Sequence, residues 1–176
     1  MSGRSQFIGT AGQFYVAYSL NIRGYHAAIT LGNVPSVDLI CSSSNGKKSV
    51  SIQVKTSRNA HRKNRKGHEI REWDVGSNAI DNCHENFIYA FVDLREDKSK
   101  PTVVYNPVVF LTPSKWVGSF VRPDFSRKLF WLRSSLWDQC RENWGLFEKY
   151  FNDDPEIHTW LSTYPSTEFD YWKPKV

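Results

Sequence analysis

Apolar and polar residues alternate most cleanly between Val50 and Lys55. Val50, Ile52 and Val54 point one way, and Ser51, Gln53 and Lys55 the other. A period of two predicts a half-buried β-strand. Ahead of it, His26–Leu31 and Val37–Cys41 read as short extended segments. Ser42 to Lys48, with Asn45-Gly46 inside, reads as the hairpin loop that joins Val37–Cys41 to the alternating strand. Earlier still, Phe14, Ala17 and Tyr18 recur at helical spacing. Thr10 and Gln13 match a capping box that would open this helix, and Gly24 is placed to stop it. Beyond Lys55, Asn59–Gly67 is polar, basic and without period, and is expected to be a mobile loop. Strands are predicted near Phe87–Asp93 and Thr102–Leu111. Thr112-Pro113 then introduces a short helix through about Val121. Ser135 is expected to cap a longer helix carrying Trp137, Cys140, Trp144, Phe147 and Phe151 as one apolar stripe, closed by Pro155.

Helix, several strands, then helices is the order of an α/β or α+β domain whose central sheet is flanked by helices. At 176 residues the chain suits one domain. Within it, residues 1–57 form the core that bears the candidate motifs, 58–71 a basic loop and 72–121 the remaining sheet and short helix. Residues 134–176 make an aromatic helical extension.

Apolar residues make up 40% of the chain, enough for a core, and its seven Trp, eight Tyr and eleven Phe suit either packing or base stacking. Net charge is +5, unevenly spread. Lys55, Arg58, Arg62, Lys63, Arg65, Lys66 and Arg71 face a single acid, Glu69, whereas Glu142 to Asp170 holds seven acids and only Lys149. A concentrated basic run is where a phosphate backbone would lie, against the plainer reading of a solvated loop. Three cysteines without C-x-x-C spacing argue against a zinc ribbon or disulfide framework. The absence of a signal-like start or a long apolar run predicts a cytoplasmic protein with no membrane contact.

The chemistry concentrates at Asp38 and, fifteen residues on, Gln53-Val54-Lys55. Two antiparallel strands joined by the hairpin would bring Asp38 beside Gln53 and Lys55, and the strand period puts the latter two on one face. One carboxylate, one amide carbonyl and one ammonium can seat a hard divalent cation on oxygen, with a lysine near an attacking water. Gln13 has a competing role as the last residue of the capping box. Thr56 and Ser57 either bond a phosphate or lead into the loop. The histidines show no metal spacing. Cys83-His84 cannot pair easily because adjacent side chains diverge. No G-x-x-x-x-G-K-[ST] or G-x-G-x-x-G loop is present, so nucleotide hydrolysis is unsupported.

Gly9-Thr10-Ala11-Gly12-Gln13, Arg23-Gly24-Tyr25, Val37-Asp38-Leu39-Ile40 and Ile52-Gln53-Val54-Lys55-Thr56 together resemble the PD-(D/E)xK nuclease superfamily. That group includes restriction enzymes and Holliday-junction resolvases, and the resemblance is nearest to small bacterial members ending this strand in Gln-Val-Lys-Thr. It covers about the first 57 residues in detail. The resemblance implies a restriction endonuclease-like core and a nuclease that acts on DNA, RNA not being excluded. It implies Mg²⁺ (or Mn²⁺) held by Asp38, the Gln53 amide oxygen and the Val54 carbonyl. Lys55 would position or deprotonate water, and Gln13 would stand where many members carry a first-helix Glu. Thr56, Ser57, Arg58, Arg62, Lys63, Arg65 and Lys66 would then contact nucleic acid. Gln53 and Gln13 each replace a carboxylate, which weakens metal affinity and motivates an alternative: a module that kept the fold and binds nucleic acid or a protein without cutting. Pairing of two copies is a further possibility.

Overall fold

In the computed structural model of the chain, the described residues are 2–31, 36–64, 66–97, 99–100, 105–121 and 126–162. Arg65, the tail from residue 163 and the expected strand's first residues (102–104) lie outside them. The architecture is α+β: a central five-stranded mixed sheet flanked by helices, with a second, three-stranded sheet.

The central sheet runs β1 (His26–Ile29), β2 (Leu39–Ser42), β3 (Ser49–Ser57), β6 (Phe87–Asp93), β7 (Val108–Pro113). All neighbours are antiparallel except β3 and β6, which run parallel with Gln53 opposite Tyr89 and Lys55 opposite Phe91. The expected hairpin joins β2 to β3, and Gly46 at its tip has φ 69°, a conformation open to glycine. In β6 every residue is buried, and alternate side chains serve two cores. Ile88, Ala90 and Val92 join Val50, Ile52 and Val54 of β3 beneath α1 (Ser2–Asn21), α4 (Gly145–Phe151) and α5 (Pro155–Ser162). Phe87, Tyr89 and Phe91 enter an aromatic core with Trp73, Phe110, Trp116 and Phe130, beneath the second sheet and α2 (Ser114–Phe120). Phe91 stacks on Phe130 at 4.7 Å and on Tyr89 at 5.6 Å. Trp73 and Trp116 are therefore core residues and not base-stacking platforms.

Several elements differ from the sequence expectation. α1 begins at Ser2, eight residues before Thr10, so Thr10 and Gln13 lie inside the helix and form no capping box. No proline lies between Ser2 and Thr10 to break a helix, and the Gln13 amide has a tertiary partner instead of the Thr10 backbone. The helix does end where Gly24 was expected to stop it: Gly24, at φ 85°, donates to the Asn21 carbonyl.

The basic segment after β3 is not a loop. β4 (His61–Lys63) and β5 (Glu69–Asp74) form an antiparallel pair, and β5 also pairs with β8 (Leu129–Arg133), a strand the pattern reading missed. The hairpin is fastened to the main sheet by buried Asp93, which accepts from the Ala60 and Arg95 N–H groups and lies 3.5 Å from the Arg71 guanidinium.

The long C-terminal helix is also broken. A single 3-10 turn (Ser134–Leu136) leads into α3 (Trp137–Cys140), and Glu142 then takes a positive φ of 50°. Glu142 leaves the helical path because it completes the outer edge of β7: its N–H donates to the Val109 carbonyl and its carboxylate accepts the Val109 N–H. Trp137 and Cys140 consequently pack in the aromatic core, and Trp144, Phe147 and Phe151 in the other. Pro155 opens α5 as its first residue, where a missing N–H costs nothing.

Candidate functional site

β2 is shorter than β3. Their ladder covers Ser49 to Ile52 of β3, and past Ile52 the two strands part. From there to Ser57, β3 keeps β6 on one side and has lost β2 on the other. Asp38, the residue just before β2, stands at this fork. Its backbone N–H still donates to the Ile52 carbonyl, and its carboxylate turns into the opening.

The carboxylate is densely bonded. Oδ2 accepts the Val54 N–H at 2.7 Å, replacing the ladder bond that β2 no longer supplies, and also accepts a short bond from the Gln53 amide. Oδ1 accepts the Gln13 amide at 2.7 Å. One side chain thus ties α1, β2 and β3 together. Gln13, Asp38, Gln53 and Val54 meet at one point, and both glutamine amides and the Val54 backbone meet Asp38 through N–H groups, not through the oxygens expected to face a cation.

Lys55 lies two residues along β3 from Gln53, on the face directed away from α1. Burial lowers the pKa of its ammonium, while the charges of Asp38 and Asp74 pull it part of the way back. Asp74, at the end of β5, is an acid that sequence reading missed. Its approach depends on β5 belonging to a second sheet, and no local pattern marks that. Asp74 is itself paired with Arg127 at 3.3 Å.

The expected nucleic-acid residues divide by location. Thr56 is not presented outward: it packs against α1, where a Cβ on Gly12 would meet its hydroxyl oxygen at 1.9 Å. That oxygen is buried and makes no hydrogen bond. Ser57 is half-buried at the end of β3, and Arg58 pairs with Glu96 at 3.4 Å. Arg62, Lys63 and Lys66 are exposed on or next to the β4–β5 hairpin. Arg65 falls outside the described residues.

No protein-family model matches the chain, and no curated protein matches it in sequence. Among solved structures, the fold is similar to that of a bacterial homing endonuclease, I-Ssp6803I. The match has a TM-score of 0.50 and 16% identity, and covers 86% of this chain and 98% of that one. The fold is nuclease-like. At that identity the likeness extends to architecture and not to individual side chains.

As a cation site, the cluster offers oxygen donors of the right hardness but only one formal charge. Among the described residues, no group of three or more His, Cys, Asp or Glu is placed to hold a metal ion. Asp38 Oδ1 accepts one bond and retains acceptor capacity, and half a turn of either amide exchanges its N–H₂ for its oxygen. The donor set therefore fits a weakly held hard cation, with Asp38, Gln53 and the Val54 carbonyl as the candidates. Among the described residues, no helix is long and apolar enough to cross a membrane.

Proposed function

We propose that the chain is a metal-dependent phosphodiesterase of PD-(D/E)xK type that acts on DNA, with Asp38, Gln53 and Lys55 as its working residues. The observation that carries this is the fork itself, where a carboxylate, two amides and a partly desolvated lysine converge at the parting of two strands. The nuclease-like fold supports the reading, and so does the description of the similar structure as a homing endonuclease. Asp38, the Gln53 amide oxygen and the Val54 carbonyl would hold Mg²⁺ or Mn²⁺. A bound divalent cation would supply charge neutralisation at the phosphate and a more acidic water.

Lys55 then has a defined task. Its Nζ would position the attacking water or take its proton as the water oxygen bonds to phosphorus, and burial, which lowers its pKa, acts in the direction such a role needs. The resulting ammonium sits beside the charge that builds on the phosphoryl oxygens. The P–O bond opposite the water breaks, and the leaving alkoxide takes a proton from solvent. Arg62, Lys63 and Lys66 would carry the phosphate backbone past the site.

One observation favours a second reading. Asp38 is already bonded to three donors of the protein, so the cluster is complete without a cation, as in a fold kept for binding alone. Cleavage of supercoiled plasmid and single-stranded DNA with Mg²⁺ or Mn²⁺ separates the two. Wild type should nick in a metal-dependent way, and Lys55→Ala should lose at least about a hundredfold in rate while keeping DNA affinity. Equal nicking by wild type and Lys55→Ala would sink the proposal. DNA binding without cleavage would leave the binding module standing.

A further inference from the structure

A helix that lies on a sheet normally has one apolar face, and α1 has two. Its inner face, with Val16, Ala17 and Leu20, is buried against the sheet. Its outer face carries Phe7, Phe14 and Tyr18, exposed at 75%, 62% and 62%, and Ile22, in the turn that follows the helix, continues the line at 61%. With exposed Ala11, these fall at intervals of four, three, four and four residues, which is one continuous stripe along a helix. Scattered exposed apolar side chains need no explanation, but four large ones in register do.

The chemistry of the stripe selects its partner. From Ser5 to Ile22 there is no Asp, Glu, Lys or Arg. DNA would need cations there, and a helix that lies on an anionic lipid surface carries Lys or Arg along its polar face. A neutral, apolar stripe has no like charges to oppose when it meets its own copy about a two-fold axis, so it is self-complementary. The area is also adequate. At about 150–250 Å² for a large side chain, the exposed parts of these four residues offer roughly 500 Å² per copy. Twice that reaches the ~1,000 Å² below which specific interfaces are rare.

We propose that the outer face of α1 is the interface of a homodimer, with Phe14 and Tyr18 at its centre. The inference does not depend on what the Asp38 cluster does. Because Gln13 lies on the same helix, the pairing would hold the two clusters at a fixed spacing.

Sedimentation of the full chain at low and high salt tests it. The expected result is a species of twice the chain mass of 20.4 kDa, not weakened by salt because no charge contact holds it. Phe14→Glu with Tyr18→Glu should weaken association at least about tenfold with unchanged far-UV dichroism, and should remove the concentration dependence of the melting midpoint that a wild-type dimer shows. A milder variant guards against misfolding. Phe14→Cys should form an inter-chain disulfide on oxidation, above the background of the native cysteines, whereas Ser44→Cys on the β2–β3 hairpin should not. A wild type of single-chain mass at every concentration overturns the proposal. So does a dimer indifferent to both glutamates, or a monomer that dimerises only once residues 163–176 are removed, which would mean that the chain covers its own helix.

Discussion

Asp38 and Lys55 pull stability in opposite directions, and both effects are measurable. Asp38→Ala strands the Val54 N–H and two amides that now share one carboxylate. Hydrogen bonds to a charged group are worth about 1.5–3 kcal/mol each; the two amides can turn to other partners but the Val54 N–H cannot, so chemical denaturation should show a loss of at least about 2–3 kcal/mol. A loss of activity in that variant is therefore informative only alongside a melting curve. Lys55 behaves in the reverse way. Its folded pKa lies below the unfolded value, so the folded state binds fewer protons in the window between them. The penalty is complete below the folded pKa and fades as pH climbs through it toward the unfolded value. Lys55→Met should consequently stabilise the protein at neutral pH, by on the order of 1 kcal/mol or less, with the gain shrinking at alkaline pH. Denaturation midpoints at the two pH values check this, and destabilisation at neutral pH would contradict it. At this scale the sequence was informative where geometry is local. Alternation along β3 fixed the shared face of Gln53 and Lys55, and the hairpin brought Asp38 alongside. It was uninformative about Gln13 as a donor to Asp38 and about Asp74 near Lys55, because both depend on elements whose placement no local period encodes.

Among elements, α1 and β3 approach closely at one point. Gly12 is the residue that lets the helix backbone approach Thr56, and a methyl group there has no room. Gly12→Ala should cost about 1–3 kcal/mol by overpacking despite the better helix propensity of alanine. Thr56→Ala removes the obstructing oxygen, so the double variant should recover most of the loss, and a thermodynamic cycle reads this coupling directly. Additive effects would mean that the two residues do not oppose each other. The errors of pattern reading also belong to this scale. His61-Arg62-Lys63 has no apolar face, so nothing in its sequence marks a strand. β4 forms because it pairs with β5, and the hairpin is held by the Asp93 carboxylate. Trp137 to Phe151 has a helical period, yet the backbone breaks at Glu142 because the edge of β7 takes that residue for its ladder.

The whole molecule stacks a neutral layer, a sheet and a basic hairpin: α1 lacks charge from Ser5 to Asn21, whereas Arg62, Lys63 and Lys66 stand exposed on or beside the β4–β5 pair. If the basic hairpin tracks a phosphate backbone, Arg62→Ala with Lys63→Ala should weaken DNA binding across all sequences. It should also flatten the dependence of log affinity on log salt by about one unit per lost contact. Titration at several salt concentrations measures the slope, and an unchanged slope would remove the hairpin from the interface. The neutral layer has another consequence, set by the order of synthesis. α1 precedes every strand that covers its inner face, and its sheet is incomplete until β7 ends at Pro113. At about 5–20 residues per second, translation leaves a helix with two apolar faces uncovered for roughly 5–20 s. During that interval the nascent chain exposes the kind of apolar surface that chaperones cover, and its soluble yield in a translation reaction should rise when a chaperone for apolar segments is added.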